Sequence, residues 1–544
     1  MLVDTPTNRV GKTPLCRHVG ARAWLTQHAL DLIDGSLLPM LLAEFDDAVF
    51  PTIANRSYGF QYEIMNLTLR NPKLAPEDLH LSFVEGTGLR LDVKSITADV
   101  SFSYKATGDS WWNSVMATSG SADVGIGPGT SLNGVLAALI NAMGRPELSV
   151  SEVSMNLEVT NFDVRGTMLG PLIEALKFAI VPIARRLIED MIVALPADRI
   201  NPILEELNFR LPLPFNFGRA QDPEMAVDFS ICSIHTGSDY LAVDVVGEAL
   251  SVTNPLLLYP VSPLPIPSMP PQGWEEDMLS FTMTKWTINS GLWVAQQLGL
   301  LSFGVTTADL PQVMGIRLDT NFLGKFAPGA RRGWVAKDVA LDISPFETPR
   351  VNLSDSGEVT VYAPQLISFQ IIESATHRTP AFELKVPLVA SAIPSVQADA
   401  NGTERIMLDV KLVSLTPIEV LRSSVGPVRL LGILNGLIQT IQSKVVMPKI
   451  EQAIGSGIPL VEVMGLRLTD LWLDVNSFLM ARASIAWSLH KTLIAVFGSS
   501  AAFVDSVLKQ MESTLLQRRA AASAKRRRAD SLSGGPPRKR RATP

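Results

Sequence analysis

Six histidines, two cysteines and one glycine-rich segment are the residues of this 544-residue chain best able to do chemistry, and none sits in a spacing that uses it. His18, His28, His80, His235, His377 and His490 are scattered, without a His-Glu-x-x-His or other metal pattern, so a zinc site has no support. Cys16 and Cys232 lie too far apart in sequence for a disulfide framework or zinc spacing to be read from them, and are expected to be packing residues. Gly125-Ile126-Gly127-Pro128-Gly129, ahead of the apolar stretch 135–142, has the outline of a phosphate loop opening a helix. It misses the dinucleotide pattern, because Leu132 stands where the third glycine belongs, and it lacks Gly-Lys-Ser/Thr. A turn from sheet to short helix is expected there instead. No Gly-x-Ser-x-Gly elbow occurs, and the chain reads as a non-enzyme that needs no cofactor.

What remains is the chemistry of apolar surface. Hydrophobic residues make up 47% of the chain and charged residues only 18%, more grease than a compact soluble fold needs to bury. Yet no uninterrupted apolar run reaches the roughly 18 to 20 residues of a membrane span, because charges such as Glu174, Lys177, Arg185 and Lys444 interrupt the longest stretches. The net charge of -6 hides an asymmetry. Residues 518–544 hold ten Lys/Arg against Asp530 alone, leaving 37 basic and 52 acidic residues elsewhere. Between residues 18 and 217 the balance is 14 basic to 23 acidic, which argues against a strong polyanion binder in that half. The tail, with Lys525-Arg526-Arg527-Arg528 and Arg538-Lys539-Arg540-Arg541, has the shape of a bipartite nuclear-import signal, but nothing near it suggests specific nucleic-acid reading.

The elements that would position the apolar residues are stated twice along the chain. Each half opens with an amphipathic stretch, 21–50 and 278–301, read as helix, and continues through runs of alternating residues read as half-buried antiparallel strands. Leu89, Leu91 and Val93, then Ile96, Ala98, Val100, Phe102 and Tyr104 are the clearest; Ile316, Leu318, Thr320 and Phe322 are their counterparts in the second half. Long apolar helices follow at 169–207 and 428–454, and each gives way to a proline-punctuated strand, Leu211-Pro212-Leu213-Pro214 or Ile458-Pro459-Leu460. Pro182 and Pro448 interrupt the two helices late or midway. Seven prolines between 254 and 273 mark a stiff spacer.

At these residues the chain resembles the family of bactericidal/permeability-increasing protein, lipopolysaccharide-binding protein and the phospholipid and cholesteryl ester transfer proteins. The matching segments are Gly20-Ala21-Arg22-Ala23-Trp24-Leu25-Thr26-Gln27-His28-Ala29-Leu30-Asp31, Trp286-Thr287-Ile288-Asn289-Ser290-Gly291, Asn321-Phe322-Leu323-Gly324-Lys325-Phe326-Ala327-Pro328 and Gly457-Ile458-Pro459-Leu460, and the likeness runs from roughly 20 to 486. The resemblance implies an α+β fold: two tandem barrels of curled antiparallel sheet wrapped on long helices, joined by a central sheet into a boomerang, with a lipid in each barrel. Its divisions would be a polar leader (1–17), an N-terminal barrel (18–217), central-sheet strands and proline-rich linker (218–275), a C-terminal barrel (276–487), and a helical extension with a basic tail (488–544). It also implies an extracellular protein, although residues 1–17 read as polar rather than as a secretory signal. Members usually tie the first long helix to a neighbouring strand by a disulfide, and the matching stretch Pro146-Glu147-Leu148-Ser149-Val150 has no cysteine.

The expected activity is lipid binding or transfer, with phospholipid or neutral lipid as partner and a monomer as the working unit. Capture of lipopolysaccharide and an intracellular scaffold directed by the basic tail are the alternatives. The expected lining of the first barrel is Leu25, Leu32, Leu172, Leu176, Ile180 and Ile183; that of the second is Trp286, Leu292, Val294, Leu430, Leu434, Leu437 and Ile441. The same spacing also describes ordinary helix core. Trp111 and Trp112, at a hairpin tip, and Trp334, beside Arg331, Arg332 and Lys337, are expected to meet a membrane surface.

Overall fold

Alternation becomes strand along most of the chain, and where it breaks step the strands bulge. The computed structural model describes residues 16, 18–32, 48–57, 60–108, 117–142, 144–166, 170–205, 210–213, 225–266, 277–310, 315, 317–354, 358–398, 404–415, 418–454, 457–459, 466–475 and 478–487. The strand Gly88–Gly108 buries Leu91 and Val93 at odd positions, then Ala98, Val100, Phe102 and Tyr104 at even ones. The switch of parity is made by Ser95 in the left-handed region (φ 55°), so the apolar side chains stay on one face of the sheet. Phe60–Lys73 does the same at Asn66 (φ 53°), passing from Tyr62 and Ile64 to Leu67 and Leu69.

These strands belong to an eight-stranded antiparallel sheet. Its main order is Ala48–Phe50, Phe60–Lys73, Gly88–Gly108, Ala117–Ile140 and Pro146–Asn156, with Ile53–Ser57, Leu79–Val84 and Val159–Gly166 pairing at its ends. The first long helix, Gly170–Leu195 with Pro182 inside it, lies on this sheet and continues through a π turn (Pro196–Ile200) into Asn201–Glu205. Asn201 fixes that end to the sheet: its side-chain oxygen accepts from Leu148 N–H at 2.8 Å and its amide donates to Leu148 O at 3.0 Å. Arg145 and Glu205 add an ion pair beside it, at 2.6 Å. Across Pro146-Glu147-Leu148-Ser149-Val150, hydrogen bonds rather than a disulfide join helix to strand.

The second half folds its strands into two five-stranded sheets. One runs Phe303–Val305, Val339–Pro345, Gln365–Ile372, Arg378–Val386, Glu419–Ser423; the other runs Arg350–Leu353, Val359–Tyr362, Leu388–Ala398, Glu404–Leu415, Ile458–Pro459. The second long helix, Leu431–Ile441, also passes through a π turn, Gln442–Val446, into Met447–Ile454. The repeat is therefore one of architecture, down to the irregular turn inside each long helix.

A six-stranded sheet links the halves. Its order is Ile231–Thr236, Tyr240–Val245, Ala21–Thr26, Leu279–Met283, Leu479–Trp487, Leu466–Val475, all neighbours antiparallel. Each half supplies its first strand to the middle and two consecutive later strands to one flank, in opposite order.

Several expectations are corrected. Residues 21–26 and 279–283 are strands, and helix begins only at Gln27 and Lys285. These opening strands are paired on both edges and largely buried on both faces, which masks the period-two signal in Ala-Arg-Ala-Trp-Leu-Thr. Thr320–Leu323 is a short helix capped by Asp319, whose carboxylate accepts from Phe322 N–H at 2.7 Å, rather than a continuing strand. The glycine-rich segment is a bulge inside the strand Ala117–Ile140, with no helix after it. Cys16 and Cys232 form a disulfide that closes a loop of 216 residues and ties the start of the chain to an outer strand of the central sheet. A separation that long carries no pairing rule in sequence.

Candidate functional site

The first long helix leaves part of its sheet uncovered. Ile180 sits in a packed cluster with Ile64, Leu67, Val100, Phe102 and Val124, while Ile188 and Ile192, two to three turns further on, join a second cluster with Leu79, Leu81, Phe83 and Leu91. Between the clusters lies a narrow cavity of about 70 Å³. Its walls come from Leu69, Pro72 and Leu74; from Leu91, Val93, Ile96 and Ala98; from Ile126, Leu132 and Met155; and from Ile188, Ile192 and Leu195 of the helix. Every one of these side chains is apolar.

Strand irregularity explains the opening. Asn71 (φ 52°) precedes Pro72, Ser95 (φ 55°) separates Val93 from Ile96, and Gly127-Pro128-Gly129 separates Ile126 from Leu132. The register shifts between Arg70 and Lys73 on one side of Gly88–Gly108, and between Val93 and Ala98 on the other. Three adjacent strands thus bulge at the cavity wall, and bulged strands bend away from flat packing. Close approach explains the glycines. Gly129 N–H donates to Glu158 Oε2 at 2.6 Å and Gly127 N–H to Glu158 O at 2.9 Å, and a Cβ on Gly127 would fall 2.2 Å from Thr160 Cγ2.

The expected lining residues are placed as follows. Leu172 and Leu176 belong to the helix, but their side chains, like Trp111 and Trp112, lie outside the described residues. Ile180 and Ile183 pack on the filled cluster, and Leu25 and Leu32 are half-buried elsewhere, in the central sheet and in the helix after it. The helix residues that line the cavity are Ile188, Ile192 and Leu195, further along than Ile180 and Ile183. In the second half Leu434, Leu437 and Ile441 are buried in one large core with Phe369 and Phe382, whose rings stack 4.4 Å apart. Leu430 is no lining residue, being 54% exposed at the helix start. Val294 packs with Leu213, Met225 and Ala249, and Leu292 against Val351 and Val359. Trp286 is buried as a clasp: its indole N–H donates to Val261 O of the linker, and its ring meets His18 and Tyr259. Trp334 faces inward too, donating to Glu373 Oε1 at 3.0 Å and packing on the second core. Hydrogen bonds from Thr379 and Trp334 hold the Glu373 carboxyl below the usual range.

One group of side chains has the composition of a hydrolase triad. Ser233 Oγ lies 3.0 Å from His235 Nε2, which lies 3.2 Å from Asp244 Oδ2. The same imidazole nitrogen faces both neighbours, and Ser233 donates directly to Asp244 at 2.6 Å, so His235 cannot take the serine proton while the aspartate orients its other nitrogen. The group is a lock on the central sheet. Arg22 Nε and a second guanidinium nitrogen reach Asp244 at 2.5 and 3.1 Å. Burial alone would raise the Asp244 carboxyl, but hydrogen bonds from His235, Arg22 and Ser233 and the Arg22 charge outweigh it and hold it at about 2.

Residues 221–486 match the C-terminal domain of the LBP / BPI / CETP family. The bactericidal permeability-increasing protein of Sebastes schlegelii is 24% identical over 421 residues, 76% of this chain and 83% of that protein. The lipopolysaccharide-binding protein of Mus musculus is 24% identical over 329 residues, 60% of this chain and 64% of that one. A crystal structure of lipopolysaccharide binding protein aligns with 87% of this chain and 99% of its own, at 19% identity and a TM-score of 0.49. The match over residues 221–486 and the two relatives support a likeness to the LBP / BPI / CETP family.

Proposed function

We propose that this protein is a non-enzymatic lipid carrier that holds an acyl chain of a phospholipid or neutral lipid in the cavity of its first half. The observation that carries the reading is the cavity itself, walled entirely by apolar side chains under the first long helix. Each methylene moved out of water contributes about 0.8 kcal/mol, so a chain of about sixteen carbons needs roughly 10 kcal/mol of replacement burial to leave a bilayer. An apolar slot that widens around the chain would supply it without catalytic groups.

The overall arrangement we infer is two tandem barrel-like modules joined through the central sheet, working as a monomer. An extracellular or otherwise oxidising setting fits the Cys16–Cys232 bond. Lipopolysaccharide is the second reading, supported by the names of the relatives, because its acyl chains suit the same slot. The acidic balance of the first half disfavours it.

Native mass spectrometry of the full chain after incubation with phospholipid tests the proposal. A phospholipid adduct is expected, and Ala98→Trp, which fills the cavity, should abolish it while the far-ultraviolet circular dichroism stays unchanged. An adduct that survives in Ala98→Trp sinks the assignment of this cavity. Displacement by lipid A but not by phospholipid would turn the result to the second reading.

A further inference from the structure

The outer end of the second half holds apolar side chains in water while the core behind it hides them. Leu431 and Ile433, beside the exposed Leu430, are 38% and 62% exposed at the start of the second long helix, and Val335 is 77% exposed just beyond the short helix Pro328–Gly333. The two segments are neighbours. Arg429 N–H donates to Phe326 O at 2.8 Å, and a Cβ on Gly329 would come within 2.1 Å of Val425 O. Arg331, Arg332 and Arg429 are exposed at this same end and have no ion-pair partner among the described residues. Carboxylates of the same half have other partners: Glu383 pairs with Arg422, Asp338 with Arg317, and Glu373 accepts from Thr379 and Trp334.

Apolar side chains ringed by free guanidinium groups match the boundary between phosphate head groups and acyl chains. A chain whose remaining body is acidic gains a preferred orientation from such an end, since its other surfaces are repelled by a negative bilayer. We propose that this end docks on bilayers containing anionic phospholipid, with Leu430, Leu431, Ile433 and Val335 entering the interface and Arg331, Arg332 and Arg429 meeting phosphates. The contact is independent of the cavity, and a chain with the cavity filled should dock equally well.

The test uses the full chain carrying Ile433→Cys labelled with a polarity-sensitive dye; the native cysteines are bonded to each other, so the label has one address. Vesicles with one-third phosphatidylglycerol should shift the dye emission to the blue, pure phosphatidylcholine should not, and the same dye on Val49→Cys in the first half should stay water-like. Arg331→Glu with Arg332→Glu should weaken vesicle binding about tenfold or more. The proposal is overturned if the dye at position 433 stays water-like while the chain sediments with vesicles, which assigns binding to the basic tail, or if no binding occurs. Unchanged binding by the double variant overturns it equally.

Discussion

The two long helices cover their sheets in the same way and leave different interiors. Under the first, the stripe that begins with Ile180 meets a filled cluster and then, at Ile188 and Ile192, an open apolar cavity. Under the second, Leu434, Ile438, Ile441 and Val446 are fully buried in one continuous core that the stacked rings of Phe369 and Phe382 help to fill. The contrast teaches that helix amphipathicity says which side faces the sheet, whereas the sheet decides whether the space beneath is occupied. In the first half three bulged strands draw the sheet away; in the second, large side chains fill in.

The sharpest way to break this contrast is Phe369→Ala. A filled core should lose about 4 kcal/mol, read by urea unfolding, because the surroundings relax only partly into the void. A loss below about 1 kcal/mol would mean that the second interior is no better packed than the first. Next in size is Asp244→Asn, which strikes the sheet shared by both halves. Leaving Arg22 without its buried partner should cost about 3 kcal/mol and move the unfolding of both halves together; separate shifts would show that the central sheet does not couple them. The same carboxylate predicts acid sensitivity. Its folded value of about 2 lies below the ordinary 3.8, so its contribution of about 2 kcal/mol is complete above pH 4 and fades as pH falls towards 2, measurable as a falling midpoint of thermal unfolding. The smallest effect comes from a matched pair. Ala381→Leu, in the second core, should cost about 1–3 kcal/mol through overpacking, while Ala98→Leu, at the cavity wall, should change stability by less than about 1 kcal/mol. Equal costs would erase the distinction.

Much of this was legible in the residues. The long helices, the proline-marked strands after them and the alternation of Gly88–Gly108 all follow from spacing. The cavity did not, because period 3.6 gives Ile180 and Ile192 the same weight although one lies over packed strands and the other over bulged ones. A signal was present: the parity break from Val93 to Ile96, Asn71-Pro72 and Gly127-Pro128-Gly129 each interrupt alternation, and only pairing the strands brings the three interruptions side by side. Ala21–Thr26 was hidden for the opposite reason, since a strand buried on both faces shows little alternation to read. Trp334 looked like a surface anchor because of its basic neighbours, and a carboxylate 39 residues away in sequence turns its ring inward.

The order of the linking sheet has a consequence for how such a chain can be divided. Each half, produced alone, would keep its own three strands and expose one raw backbone edge, Ala21–Thr26 in one case and Leu279–Met283 in the other. That edge runs antiparallel to its present mate, so a duplicate of the same half could offer it an equivalent partner. Severed halves should therefore be found as self-paired twins, and the continuous chain is what makes the pairing unequal.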